Sequence, residues 1–515
     1  MKSIFHKIAR FFWSWGFGKF VLWTVTLVIL LYVEEDWRGA RDWTATKAKW
    51  EAKGESFDFN KLIPPAVPDE QNLAALPLFK LEPGQPDDNG KTSLEPLALR
   101  RAMRTNLPGG KLPSMARAQQ NEVPDLEKIR AAVAANFAEA FKNTTPPQNT
   151  LAQFEALYPF ITDLHAASAT RPFCRFQEDY ISQPAYGRSL SLISSQMALA
   201  RILSMHAYLA LSENQPQAAL EDIKLVAMLN VAVGREPVLI SGLVAGSLTV
   251  TNATMINQGL FMHAWNDQQL AEIQAALAPL DPLANYQLAM RGEFVGFSLP
   301  TITYLKTRRP DIKNFFSIGD QPPPLYATDS VFDLWANGWL DRNSCQMADA
   351  LLESVTFADP QAHRMAVEPA NRAAQRAGER RKQWSAYTPW NILYVLATPS
   401  LLNAPLQFAR VQVRLDEVRM ACGLERYRLA HGVYPKTLDA LVPANLAAVP
   451  RDPVTGEPYH YSLRPDGTFL LYSVGWNLKD DGGVEVYSLT NPAPGDSVAR
   501  HGDWVWPTLR LPPAK

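Results

Sequence analysis

Cysteine is almost missing from this chain: three residues in 515, Cys174, Cys345 and Cys422, far apart and never in a CxxC pair. At most one disulfide can form, which excludes a disulfide framework, and Cys422 falls on a helical stripe where it reads as a core residue. An excess of one charge is also lacking, since 50 lysines and arginines face 51 aspartates and glutamates. That balance argues against binding nucleic acid through bulk electrostatics. The eight histidines are scattered, and no nucleophile elbow, HExxH pair, metal-spaced histidine set or glycine-rich dinucleotide turn is present. The segment Gly84–Thr92 ends in Gly90-Lys91-Thr92 like a phosphate loop. Its spacing is one residue too long, and Asp87-Asp88 would repel phosphate.

What the chain does have is apolar surface, 47% of its residues, enough for a substantial core spread over about three domains by length. The longest apolar run, Phe11 to Val33, is broken only by Lys19 and a few small or hydroxyl residues. It reaches the about 20 residues that a bilayer crossing needs, and Lys19 can snorkel to the headgroups. Lys2, Lys7 and Arg10 precede it and Glu34-Glu35-Asp36 follow, so the charge bias keeps the N-terminus inside. No small-x-small site precedes the acidic cluster, which favours an uncleaved anchor over a signal peptide. The expectation is a single-pass protein of a bacterial inner membrane, with residues 1–10 cytoplasmic, 11–33 in the bilayer and the bulk periplasmic. A second apolar stretch, Trp384–Leu406, is cut by Pro389, Pro399 and Pro405 into pieces too short to span. It reads as a buried or interfacial helix; if interfacial, the preceding Arg372, Arg376, Arg380, Arg381 and Lys382 would meet anionic lipid.

Beyond the anchor, Trp37, Trp43 and Trp50 with interleaved basic residues predict a helix leaving the membrane, and the many prolines of Leu62–Pro113 predict an irregular wrap, together 34–120. Helical spacing then dominates 121–319, with helices over Asp125–Asn143 and Leu151–Ala167. A pair separated by Glu213-Asn214-Gln215-Pro216 looks tetratricopeptide-like, without a second copy at a fixed period. Asp320–Pro324 reads as a connector opening a 320–407 segment with a helix over Ser330–Phe357. His165, near Asp163 and Arg171, and His206, inside an apolar helical pattern, read as structural. The cluster Arg171, Arg175, Glu178, Asp179, Tyr180 and Arg188 reads equally as a groove lining or as salt-bridged packing.

The final segment, 408–515, has the most legible plan. Phe408, Val411, Leu415, Val418, Cys422 and Leu429 line one stripe of a helix that Gly432 can end and Tyr434-Pro435 cannot continue. A short helical piece, Thr437–Val442, follows. Strand-like runs Tyr459–Leu463 and Phe469–Val474 flank the turn Arg464-Pro465-Asp466-Gly467, and a last strand is expected over Val484–Leu489. The runs Gly432–Leu438, Asp452–Tyr459 and Leu471–Gly475 resemble the globular part of type II secretion major pseudopilins: a Tyr-Pro after the long helix, Asp-Pro before Gly-x-Pro-Tyr, then Tyr-Ser-x-Gly before an acidic loop. The resemblance covers about the last fifth of the chain, and the helical region is similar to uncharacterised bacterial envelope proteins with such tails. It implies a long helix on a small antiparallel sheet, and a calcium site in the loop with Asn477, Asp480 and Asp481 as donors; Asn477 stands where the family usually has an aspartate. The alternative for that loop is a solvated turn, in which case the protein carries no cofactor.

The expectation for the whole is a mostly α chain with a small α+β C-terminal domain: an anchored envelope protein whose partners are the bilayer and other envelope proteins, not nucleic acid. The second expectation is an envelope enzyme of hydrolase class with a polar groove near Arg171–Arg188.

Overall fold

The computed structural model describes residues 15–86, 92–103, 125–141, 143, 145–176, 191–307, 335–383, 389–485 and 500–507. The chain is mostly helical with small antiparallel sheets. Helix α1, Trp15–Glu51, runs unbroken from Trp15 through the described part of the predicted bilayer segment and on into the body. At 1.5 Å per residue it is about 55 Å long. Its apolar half is not buried inside the protein at all; Phe20, Leu22, Trp23 and Leu27 all point outward. From Glu34 onward it packs along a helix about three hundred residues away in the chain.

Between them come a wrap of single 3-10 turns from Phe59 to Phe79, a hairpin of β1 (Glu82–Pro86) and β2 (Thr92–Glu95), and α2 (Leu97–Met103). Then follow α3 (Leu126–Ala140), α4 (Thr150–Leu157) and α5 (Phe160–Ser168). The sequence predicts one helix over 151–167. Pro159 splits it, because proline offers no N–H and pushes Tyr158 out of helical geometry (φ −127°, ψ 58°). Helices α6 (Ser191–Ser212) and α7 (Pro216–Gly234) are the predicted antiparallel pair, joined where Asn214 takes a positive φ of 56°. Next are α8 (Leu239–Phe261), α9 (Asp267–Leu277), α10 (Pro282–Gly292), a π-helical turn over Glu293–Ser298, and α11 (Leu299–Thr307).

Helix α12, Asn337–Val355, is the partner of α1. The two backbones touch where Gly39 meets Gly338: a Cβ on either glycine would collide with the other helix's backbone. Asp36 accepts a hydrogen bond from the Gly338 amide (2.8 Å), one of the unpaired donors at the N-terminus of α12. Glu35 accepts from Trp339 Nε1 (3.0 Å) and pairs with Arg342 (3.1 Å). Further along, Lys49 Nζ and Trp50 Nε1 both donate to Asp349 at 2.8 Å. Polar ties at two levels and a glycine crossing thus clamp α1 to the body.

After a two-residue pairing of β3 (Ala358–Asp359) with β4 (Arg364–Met365), α13 (Val367–Gln383) and α14 (Ile392–Leu401) lead to α15 (Ala404–His431). The sequence starts that last helix at Phe408. It begins earlier because Pro405 sits in the first turn, where its missing N–H costs nothing. Phe408 and Val411 seat against Gly242 and Gly246 of α8, while Arg414 and Asp416 on the same helix already meet the C-terminal unit at Val505 and Tyr459. Gly432, at φ 80°, closes the helix by donating to the Arg428 carbonyl (2.7 Å). Leu429, placed on the buried stripe by spacing, is 42% exposed because the helix has by then run past its cover.

Strands β5 (His460–Leu463) and β6 (Phe469–Ser473) pair antiparallel, His460 opposite Tyr472 and Leu463 opposite Phe469. The third strand is β7 (Trp504–Val505), antiparallel to β6 at Tyr472 and Ser473. Of the expected strand Val484–Leu489 only the first two residues are described, and Glu485 bridges to Gly502. By length and composition three stretches qualify as bilayer spans: within α1, within α8, and across Ile392–His431. The second and third have 67% and 61% of their most apolar window buried in the protein, against 0% for α1.

Candidate functional site

Helix α7 carries one acid on an otherwise apolar face. Asp222 is fully buried, flanked by Leu220, Ile223 and Val226, and such a charge is costly unless partnered. Two histidines from two other helices meet it. His206 Nδ1 on α6 lies 2.6 Å from Asp222 Oδ2, and His165 Nε2 on α5 lies 2.9 Å from Oδ1. Glu155 of α4 closes the far side, 3.3 Å from His206 Nε2. The imidazole rings are 5.8 Å apart and Phe154 packs against His206. Burial opposes a charged His206, but Asp222 and then Glu155 outweigh it and raise its pKa above the ordinary histidine value.

His165 borders a cavity of about 350 Å³, with Ser168, Ala169, Glu221, Lys224 and Met228. Lys224 bridges Glu221 (3.3 Å) and Glu272 (3.4 Å) at its edge. An imidazole held on one nitrogen by a buried carboxylate and open to a cavity is the arrangement of a general base. The two histidines read singly as structural. What brings them together is Asp222, and an acid within an apolar helical run was the available signal.

A second polar centre ties the C-terminal unit to the body. Asp416, buried on α15, accepts from His363 Nε2 (2.7 Å), Tyr459 OH (2.9 Å) and Gln412 Nε2 (3.0 Å). Next to it, burial pushes the Glu417 carboxyl up to about 8. Arg414 Nη1 lies 3.2 Å from Glu417 Oε2, yet neither carboxyl oxygen has a hydrogen bond in good geometry, so the contact is one of charge alone. Glu425, also buried, is fully bonded: His263 Nδ1 (2.7 Å), Tyr434 OH (2.8 Å), and Arg428 through Nε (2.8 Å) and Nη2 (2.7 Å). Burial raises its pKa, but these donors together lower it below the ordinary carboxylate value.

The acidic loop has its own internal bonding. Asp480 Oδ1 accepts from Tyr472 OH (3.0 Å) and the Gly482 amide (2.9 Å), and Asp481 Oδ2 from Asn477 Nδ2 (3.1 Å). Asn477 Oδ1 takes the Lys479 amide (3.0 Å). A residue outside the predicted set, Asp503, gathers the amides of Asp481 (3.1 Å) and Gly483 (2.6 Å). One side-chain oxygen of each of Asn477, Asp480 and Asp481 thus accepts from a protein donor, and no group of three or more His, Cys, Asp or Glu suited to a metal occurs among the described residues.

The arginines of the predicted groove do packing work. Arg171 donates to the carbonyls of Asp69 and Asn72, and Arg175 to Glu236 (2.9 Å) and the Phe176 carbonyl, stitching the wrap onto the helices. Glu178, Asp179, Tyr180 and Arg188 lie outside the described residues. Comparison with family models, curated proteins and solved structures found no match to this chain.

Proposed function

We propose that this is a single-pass, membrane-anchored envelope protein, held in a bacterial inner membrane with its body on the periplasmic side, that acts as a protein-interaction or assembly module. The observation that carries this reading is mechanical continuity. Helix α1 runs without a break from its outward-facing apolar half into the body and is clamped to α12 by Gly39, Asp36 and Trp50, while α15 is buried in the same body and ends in the C-terminal unit. In this reading membrane, body and tail form one continuous path. The tail, which we read as pseudopilin-like, exposes Val433, Leu463 and Val484, apolar side chains of the kind that partner surfaces cover.

The test is photocrosslinking in cells from an unnatural residue at Val433, Leu463 or Val484, with Gln375 on α13 as control. Discrete adducts at the tail positions and none at the control are expected. A tail as silent as the control would sink the module reading. A point label is used because a deletion from residue 408 onward would strip the body of Phe408, Val413 and Leu415, all buried.

A second reading, an envelope enzyme, is favoured by one observation: His165, braced by Asp222, opens onto the 350 Å³ cavity. Its site would be that cavity rather than the Arg175 region, and His165→Gln, judged by loss of turnover with the fold intact, is its test.

A further inference from the structure

At the level where α1 leaves the predicted bilayer, three aromatic rings from three parts of the chain lie side by side. Tyr32, the next-to-last residue of the apolar run, has its ring centroid 6.1 Å from that of Trp339 at the start of α12. Trp339 lies 6.3 Å from Trp390, in the turn before α14. Both tryptophans are tied to the body, Trp339 through its ring N–H and Trp390 through its backbone. Trp339 Nε1 donates to Glu35 (3.0 Å), and the Trp390 carbonyl accepts from Gln346 (3.2 Å). Trp390 remains 36% exposed, and on the neighbouring turn of α1 Trp37 is 60% exposed with the Arg41 guanidinium 5.0 Å over its ring.

Exposed indoles in water waste apolar surface, whereas the bilayer–water interface is where tryptophan and tyrosine, apolar in body and polar at one edge, concentrate. We propose that the body rests directly on the bilayer through this collar, with Trp339 and Trp390 seated in the interfacial zone of the lipid. The occupant of this surface is lipid, because the collar is continuous with the span itself through Tyr32. The inference rests on the single-pass reading and adds a second attachment to it. With α1 clamped to α12, span and collar together set the tilt of the body, so the tail is presented at a defined height and orientation.

The experiment uses the full chain, with its three cysteines replaced by alanine, in phosphatidylcholine vesicles, nitroxide-labelled at Trp390→Cys or at Leu463→Cys on the tail. At position 390 collisions with oxygen should exceed those with a water-soluble nickel chelate several-fold relative to position 463. Equal nickel access at both overturns the collar. Should the labelled variant misfold, quenching of tryptophan emission by shallowly brominated lipid replaces it. Quenching must fall in the Trp339→Phe/Trp390→Phe double variant, and unchanged quenching overturns the proposal. Alkaline carbonate extraction separates the two readings: release from the membrane defeats the anchor, and retention with a water-exposed position 390 defeats the collar alone.

Discussion

Asp222 shows how one side chain organises a region. Its two imidazoles and its complete burial make it a charge that cannot be left alone. Asp222→Asn should cost about 3–5 kcal/mol, the usual result of breaking a buried pair. The loss should depend on pH with a definite sign. His206 has a raised pKa, so its contribution is full below the ordinary histidine value of about 6.5 and fades as pH climbs through the folded value. Urea unfolding at about pH 5.5 and about pH 8.5 should therefore show the larger deficit at the lower pH; a deficit that grows with pH would refute the pairing. Glu417 acts in the same direction. The folded chain holds its proton up to about 8, so between the ordinary carboxyl range and that value stability drops by up to about 1.4 kcal/mol per pH unit. Glu417→Gln keeps the shape and removes the titration. It should flatten the alkaline side of the pH–stability curve and leave the variant more stable than the parent near pH 8.5, with Arg414, Asp416, Asp452 and Glu485 as the charges that modulate it. The shift of Glu417 does not announce itself in the sequence, because what raises it is burial by segments distant in the chain.

Among elements, the crossing of α1 and α12 is the joint on which orientation depends. Gly338→Leu places a branched side chain against the Glu35 carbonyl. The overpacking should cost about 1–3 kcal/mol, and hydrogen exchange should then accelerate from Glu35 to Trp50 while α7 and α8 keep their protection. Uniform acceleration instead would mean that the clamp is not a local joint. A link between the turn after α8 and the C-terminal unit runs through Glu425, whose lowered pKa gives it the opposite pH sense to Glu417. Its stabilisation is complete above the ordinary carboxyl value of about 4.3 and is lost as pH falls through the folded value. Glu425→Gln should destabilise by about 3–5 kcal/mol at neutral pH, with the difference shrinking toward pH 3 in thermal melts. These elements were partly legible. Helical spacing located α6, α7 and α15, and the proline–glycine turn located β5 and β6. The split at Pro159 and the strand Trp504–Val505 were not, since a two-residue strand has no periodicity to read.

For the whole molecule the decisive question is how many times the chain crosses the membrane. Both α8 and Ile392–His431 are apolar enough, and only packing separates them from α1. With a single crossing, a cysteine at exposed Gln268, just past α8, and one at exposed Lys436 share a compartment. Both should react with a membrane-impermeant maleimide in spheroplasts; a Gln268→Cys variant that stays unlabelled until lysis would mean that α8 crosses.

The chain by itself determined its balance of charge, its lack of a disulfide framework, a leading apolar segment long enough to span, and a tail of one helix with a hairpin, because each depends on composition or on neighbours a few residues away. Tertiary structure decided which apolar helices have protein around them, that His165 and His206 share one carboxylate, that Arg171 and Arg175 are bracing, and that Tyr32, Trp339 and Trp390 form one surface. Those outcomes depend on segments tens to hundreds of residues apart being brought into contact, and local pattern carries no record of such distances.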